Sequence, residues 1–195
     1  TLAGSMRVAS VGLLVVVGAA ALGVGVPLCR AALAKGPAEY GAWSLMLGAA
    51  WILVAGAGAS LRAFEGADAT GLRAAFLPWL PILGAAGVGQ LFVGALTYLM
   101  PVVIGGGPSA VRVGVGVLEA GAPIREAARN VAAVFALAVA SLGGVSAERL
   151  TIAAWVVLLA TYVVDIVLMA RCGVAQARVK RAAQSPTTTQ GGRRG

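Results

Sequence analysis

The stretch that decides the fold runs from Gln90 to Arg112 and reads QLFVGALTYLMPVVIGGGPSAVR. Its first half is an apolar run that predicts part of a membrane-spanning helix, since about 20 apolar residues cross a bilayer. A proline then loosens the last turns of this helix, and three glycines supply the left-handed conformations that end helices. A second proline fits the first turn of a following helix. The motif predicted to reverse the chain consists of Pro101, Gly105, Gly106, Gly107 and Pro108.

The helix that follows the glycines is too short to span a membrane. We predict it over Ser109 to Ala120, SAVRVGVGVLEA, lying at the cytoplasmic interface. The glycine run lacks the lysine and the adjoining Ser or Thr of a phosphate-binding P-loop. The pattern therefore predicts a chain reversal and argues against a nucleotide site.

One face of the long helix is small and polar. Gly87, Gln90, Gly94 and Thr97 recur at steps of three and four residues, which places them along one side of the helix. In lipid, small residues let helices approach closely, and a glutamine amide needs hydrogen-bond partners. We predict that this face packs against protein, either as a seam between helices or as the lining of a polar cavity.

The composition indicates an all-α fold, a polytopic transmembrane helix bundle. Of 195 residues, 59% are hydrophobic and 11% are charged, whereas a soluble domain carries about 25% charged residues. Each segment that crosses lipid on its own must be helical, because a helix satisfies its own backbone. We predict five spans: Val8–Leu28, Tyr40–Leu61, Phe76–Ile104, Ile124–Leu142 and Leu150–Ala170.

The basic residues predict an orientation in the cell (plasma) membrane. Four of the 15 Lys and Arg residues fall on one side of the predicted spans and eleven on the other. Cytoplasmic loops carry the excess of basic residues, so we expect the N-terminus outside and the C-terminus in the cytoplasm. Cys29 and Cys172 then lie at cytoplasmic helix ends, where a disulfide is not expected.

Two regions result from these spans. Residues 1–174 are predicted to form the helical domain, and residues 175–195 a basic cytoplasmic tail or flexible linker. The closing Arg193-Arg194 pair is either an ordinary basic end or the start of a twin-arginine export signal for a following domain. Because the chain begins with threonine, we expect it to be a fragment.

The residue types in this sequence support few kinds of catalytic or metal-binding site. It contains no histidine, the commonest ligand of haem, copper and zinc, and its two cysteines are isolated. We therefore assign it no catalytic, cofactor-binding or metal-ligating residue. The net charge of +8 sits at helix ends and in the tail, which favours the lipid bilayer as partner and argues against nucleic acid.

An aspartate inside the last span requires a partner or water. We expect Asp165 to be the only carboxylate within a span, and Arg129 reaches a similar depth on the preceding, antiparallel helix. We predict an intramembrane Asp165–Arg129 ion pair, with Asn130 or Tyr162 as a further hydrogen-bonding partner. The alternatives are a hydrated Asp165 with Arg129 extended to the head groups, or a proton or ion relay through Asp165.

The segments FLPWLPILGAAGVGQ and GALTYLMPVVIGGGPSAVR resemble a membrane domain of actinobacterial multicopper oxidases and copper nitrite reductase-like proteins. The resemblance runs from Phe76 to Arg129, and PVVIGGGP with a downstream arginine is its most specific part. In that family a multi-pass domain precedes cupredoxin domains. The resemblance implies that the chain is the second half of a larger membrane domain. An N-terminal half and a downstream cupredoxin domain would then be missing, with copper in the parent protein and no cofactor in this fragment.

Three functions remain open. The resemblance implies an anchor or electron-entry module of a copper-dependent oxidoreductase. The polar residues Gln90 and Asp165 suggest instead a small transporter or a channel-like helix bundle. The third alternative is a structural bundle with no small-molecule partner. In none of the three does the fragment carry an enzyme active site of its own.

Overall fold

The computed structural model describes residues 2–35, 39–65, 69–140, 142 and 144–184, and within these ranges only helices and short turns occur. The predicted all-α class is therefore confirmed. A π-helical turn, Ala21–Gly25, joins α1 to α2, and a π-helical segment, Ile82–Gly89, leads into α5. The α-helices are α1 (Leu2–Ala20), α2 (Val26–Lys35), α3 (Tyr40–Glu65), α4 (Ala69–Phe76), α5 (Gln90–Ile104), α6 (Pro108–Leu118), α7 (Ala122–Ala140) and α8 (Val145–Gln184).

The described residues contain four stretches of helix that are long and apolar enough to cross a membrane. These stretches are Arg7–Ala31, Tyr40–Phe64, Leu77–Ile104 and Val145–Gln184. The predicted fourth span corresponds to α7, which is helical over 19 residues but is not among the four. Its first turns carry Arg125, Glu126 and Arg129, too many charges for a helix that lipid surrounds. Helix α7 thus matches the predicted fourth span in position, but its charged first turns are buried inside the bundle rather than facing lipid.

Helix α1 forms the outer layer of the bundle and packs along α3. None of the most apolar part of the Arg7–Ala31 stretch is buried inside the protein. Its valines and leucines instead face outward, for example Val8, Val15 and Leu22. An apolar helix with this exposure is typical of a lipid-facing position.

Glycines bring α3 and the helix of residues 82–104 to backbone contact. A Cβ atom on Gly48 would lie 2.9 Å from the carbonyl oxygen of Gly87, and one on Gly94 would lie 3.0 Å from that of Gly41. On each helix the two glycines are seven residues apart, which is about two turns, so both pairs face the partner helix. Only small residues allow helices in lipid to approach this closely.

This glycine contact lies on the face that the sequence singles out. Gly87, Gln90, Gly94 and Thr97 are all buried in the structure. The Thr97 hydroxyl donates to the Val93 carbonyl one turn earlier, at 2.9 Å. Its donor is therefore hydrogen-bonded within its own helix. The face forms a seam between helices, and the wider cavity that was the alternative is not needed to explain it.

The chain reverses where the proline and glycine motif predicts. Helix α5 ends at Ile104, and Gly105, Gly106 and Gly107 follow with φ of 70°, 109° and 86°. These are left-handed values that favour glycine. Helix α6 then begins at Pro108 and packs antiparallel against the end of α8, with Ala110 next to Gln176 and Leu118 next to Leu168.

One glutamine of α8 closes this end of the bundle. Gln176 is 0% exposed, and its Nε2 atom donates to the carbonyls of Pro101, at 2.9 Å, and Ala110, at 3.2 Å. The Pro101 carbonyl belongs to the last turn of α5, where carbonyls lack intrahelical partners. Gln176 lies within α8, which continues to Gln184. The predicted linker is corrected over residues 175–184, and residues 185–195 lie outside the described ranges.

Replacing Gly94 by alanine should separate α3 from α5. The new methyl group would meet backbone atoms of Gly41 and Leu45 at 3.0 Å, which neither helix can relieve without moving. We expect a loss of about 1–3 kcal/mol in the free energy of unfolding, measured by thermal or denaturant unfolding in detergent.

Gly84→Ala is the matched control, because a Cβ atom there meets nothing within 4 Å. Alanine is the better helix former by up to about 1 kcal/mol, so this control should be neutral or stabilising. Equal stability of the Gly94 and Gly84 variants would contradict the tight seam.

Candidate functional site

A buried carboxylate stands at the centre of a polar cluster between α3, α7 and α8. The Tyr40 hydroxyl lies 2.9 Å from each carboxylate oxygen of Asp165 and donates its proton between them. Arg125 Nη1 bonds to Oδ1 and Arg129 Nη2 to Oδ2. Asp165 is 2% exposed and Arg129 is 0% exposed. The structure thus places the predicted Asp165–Arg129 ion pair inside the bundle. The alternative of a hydrated aspartate with an arginine extended to the head groups does not describe it.

The two arginines reach one carboxylate because they are one turn apart on α7. Arg125 also donates to the backbone carbonyl that ends α6, and its guanidinium carbon lies 4.2 Å from the centroid of the Tyr40 ring. Arg129 Nε donates to Thr161 Oγ1 at 2.9 Å, and its guanidinium carbon lies 4.1 Å from the centroid of the Tyr162 ring. A planar guanidinium can bond at its edge and stack on its face. Each arginine is therefore held in one orientation.

A second branch of hydrogen bonds runs from α7 to α3 and α5. Glu126 Oε2 accepts from Gln90 Nε2 at 2.6 Å and from Asn130 Nδ2 at 3.2 Å. Asn130 Oδ1 in turn accepts from the Trp51 indole at 2.7 Å. The Ser44 hydroxyl donates to the Gln90 backbone carbonyl at 3.0 Å. The glutamine that opens α5 is thus the point where α5 joins the charged helix.

Charge balance explains how the cluster persists in a low-dielectric interior. Two guanidinium groups, Arg125 and Arg129, face two carboxyl groups, Glu126 and Asp165, and all four residues are less than 9% exposed. Removing an ion from water costs several kcal/mol, and only close partners offset that cost. The paired arrangement is therefore tolerated, whereas the loss of one partner would leave a buried charge without compensation.

Some buried atoms of the cluster have no hydrogen-bond partner among the described residues. These atoms are Gln90 Oε1, Arg125 Nε, Glu126 Oε1 and Arg129 Nη1. Two are donors on the arginines, and two are acceptors on side chains that already touch. The two acceptors, Gln90 Oε1 and Glu126 Oε1, are therefore positions where the cluster can bind a proton, while its charged groups hold the helices together.

The part of the chain that the structure describes offers no ligand set suited to copper or haem. The sequence has no histidine, and the described residues include no group of three or more His, Cys, Asp or Glu side chains that could hold a metal ion. Cys172 is buried with its sulfur 3.7 Å from Gln176 Oε1, while Cys29 lies apart on α2.

The structure changes the set of residues around the predicted pair. Tyr40, rather than Asn130 or Tyr162, is the further partner of Asp165. Tyr162 instead stacks on Arg129 and donates to the Ala85 carbonyl in the π-helical segment. Asn130 bonds Glu126 and Trp51. The prediction that the Tyr162 hydroxyl or the Asn130 amide bonds to the Asp165–Arg129 pair was therefore wrong. The sequence does not show how α7 and α8 are rotated about their axes.

Two charged members of the cluster were missed from the sequence. Glu126 lies inside the predicted fourth span, so Asp165 is not the only carboxylate within a span. Arg125 is one of the eleven basic residues on the predicted cytoplasmic side, and no partner was predicted for it. A usable signal was present, because Arg125 and Arg129 are spaced i and i+4 and so share one face of the helix.

No protein-family model, curated protein or solved structure matches the chain. The function proposed below therefore rests on the sequence resemblance together with the geometry of the buried cluster and of the helix seam.

Removing one member of the Asp165–Arg129 pair should destabilise the fold strongly. We expect Asp165→Asn and Arg129→Gln each to cost on the order of 3 kcal/mol of unfolding free energy, because each leaves a buried charge poorly compensated. The double variant should lose clearly less than the two single losses together. Denaturant unfolding of all four proteins in detergent measures this coupling.

Arg149→Gln is the control, since Arg149 is an exposed arginine at the start of α8. It should leave stability within about 0.5 kcal/mol of the parent. Strictly additive losses in the cycle would show that Asp165 and Arg129 do not interact.

Proposed function

We propose that this chain is the membrane module of a copper-dependent oxidoreductase and that its role is to anchor and brace that protein in the bilayer. The observation that carries the proposal is where the resembling segment lies in the fold. The segment from Phe76 to Arg129 supplies the packed glycine seam, the chain reversal and both arginines of the buried cluster. The segment that resembles the copper-protein membrane domain thus contributes residues to the contacts that organise the interior.

The chemistry of the side chains favours a structural role, in which this chain stabilises the membrane domain, over a role in electron entry. Electron entry needs a redox centre, and this chain has no histidine and, among its described residues, no set of ligands suited to one. Its buried polar groups instead tie α3, α5, α7 and α8 to one another. In the proposal, the N-terminal membrane half and a downstream cupredoxin domain carry the redox chemistry, and this half holds them at the membrane.

We further propose that the protein lies in the plasma membrane with its N-terminus outside and its C-terminus in the cytoplasm. The support for this orientation is the asymmetry of the 15 basic residues. In the structure, α8 runs on past Arg171 with exposed basic residues such as Arg178 and Lys180. This basic extension suits a cytoplasmic, anionic membrane surface.

Labelling of Cys29 tests the orientation. Cys172 is buried and Cys29 is partly exposed, so the measurement uses a Cys172→Ala background in which only Cys29 can react. We expect an impermeant thiol reagent to label Cys29 in inverted membrane vesicles and to leave it unlabelled in intact cells. Rapid labelling in intact cells would reverse the orientation.

Copper analysis of the parent protein tests the function. We expect the protein expressed from its complete coding sequence to contain bound copper after purification, and this chain expressed alone to contain none. Asp165→Asn in the parent should lower its yield and thermal stability while the copper content per folded molecule stays the same. A parent protein without copper and without cupredoxin-type His and Cys ligands would overturn the proposal.

A small transporter or channel-like bundle is the second candidate. The observation that favours it is the pair of unpartnered acceptors, Gln90 Oε1 and Glu126 Oε1, on neighbouring buried side chains. A proton carried by Glu126 would satisfy both, and Asp165 lies in the same cluster. Proton uptake by liposomes that contain the protein, abolished by Glu126→Gln, would favour this candidate over the anchor.

A further inference from the structure

A second feature lies outside the buried cluster, where α6 runs along the end of α8. Between the two helices lies an open groove with a volume of about 760 Å³, which is within the usual size range of a ligand site. Val113, Gly116 and Val117 form its α6 wall, while Leu168 and Val174 lie on the α8 side. The groove is therefore apolar along most of its length, and it is separate from the cluster around Asp165.

Two arginines give this apolar groove a charged edge. Arg171 and Arg178 both line it and both are exposed. They are seven residues apart on α8, so they point in nearly the same direction and are separated by about 10 Å along the helix. The described lining of the groove contains these two cations and no acidic side chain. An occupant that complements it needs an apolar part and a negative charge.

The position of the groove along α8 indicates where the occupant lies. The apolar part of α8 ends at Ala170, and the first arginine follows directly. Tyr40, the first residue of α3, bonds to Asp165 below this point. The span of α3 therefore begins at about the same level. Leu168 thus lies at the edge of the hydrocarbon, and Arg171 and Arg178 lie at and beyond the level of the head groups.

We propose that this groove binds an anionic phospholipid. Its acyl chain would lie against Val117 and Leu168, on the hydrocarbon side of the groove, and its phosphate between Arg171 and Arg178. A soluble anion would use the arginines and leave the apolar wall uncovered. A zwitterionic lipid would bring its own cation next to the two guanidinium groups. An anionic lipid satisfies both parts of the groove, because guanidinium groups bond phosphate oxygens in pairs.

The glycine at position 116 makes the groove accessible to an acyl chain. A Cβ atom on Gly116 would meet nothing within 4 Å, whereas one on Gly114, on the packed side of α6, would lie 2.8 Å from Gln176. The two glycines of this helix therefore have different roles. Gly114 lets α6 approach α8, and Gly116 leaves the groove open.

Thermal unfolding of the purified chain in detergent tests the proposal. The probes are phosphatidylglycerol, phosphatidylcholine and inorganic phosphate, each added to the same micelles. We expect phosphatidylglycerol to raise the melting temperature and the other two to leave it nearly unchanged. The Arg171→Gln, Arg178→Gln double variant should bind phosphatidylglycerol roughly tenfold more weakly, because both headgroup cations are lost.

Two further variants separate the groove from general surface charge. Gly116→Leu keeps both arginines and fills the groove, so it should also weaken phosphatidylglycerol binding. Arg149→Gln removes an exposed arginine outside the groove and should leave binding unchanged. Retention of full phosphatidylglycerol stabilisation by the double arginine variant or by Gly116→Leu would overturn the site. An equal effect of inorganic phosphate would replace the lipid by a simple anion.

Discussion

The structure depends on one buried carboxylate and the three donors that surround it. Asp165 belongs to α8, its hydroxyl donor Tyr40 to α3, and its two guanidinium donors to α7. In an interior of low dielectric constant, none of these groups can be left alone without a large desolvation cost. The three helices are therefore fixed in rotation and in height relative to one another. A bundle held only by apolar contacts in lipid would lack that constraint, because lipid tails are as apolar as leucine.

The glycine seam makes this network geometrically possible. Gln90 can hydrogen-bond to Glu126 on α7 only if α5 lies deep in the bundle, and α5 reaches that position because Gly87 and Gly94 let it touch the backbone of α3. The same principle operates where Gly114 admits Gln176. Close backbone packing and buried polar bonds are thus two parts of one arrangement. Small residues bring the helices close, and polar side chains then fix their register.

This division of the molecule fits the functions proposed for it. The interior uses its polar groups to hold four helices together, which suits a brace within a larger membrane protein. The outward faces of α1 and of the α6–α8 groove remain apolar and exposed. One is positioned for lipid tails, and the other combines an apolar wall with two arginines. An anchor of this kind would interact with the bilayer both through its spans and through one specific lipid.

The sequence by itself determined the helical class, the chain reversal at Gly105 to Gly107 and the similar depth of Asp165 and Arg129. Each of these follows from local rules: apolar length, glycine conformation, and the depth of two charges on adjacent helices. Only the tertiary structure showed that Asp165 and Arg129 form an ion pair. The tertiary structure alone decided that Tyr40 completes the Asp165 site, that Glu126 joins Gln90, and that α8 continues past Ala175. These outcomes depend on how each helix is rotated about its axis and on which neighbour it meets. Contacts between residues more than 70 positions apart, such as Gln176 with Pro101, set that rotation, and no local pattern in the chain encodes it.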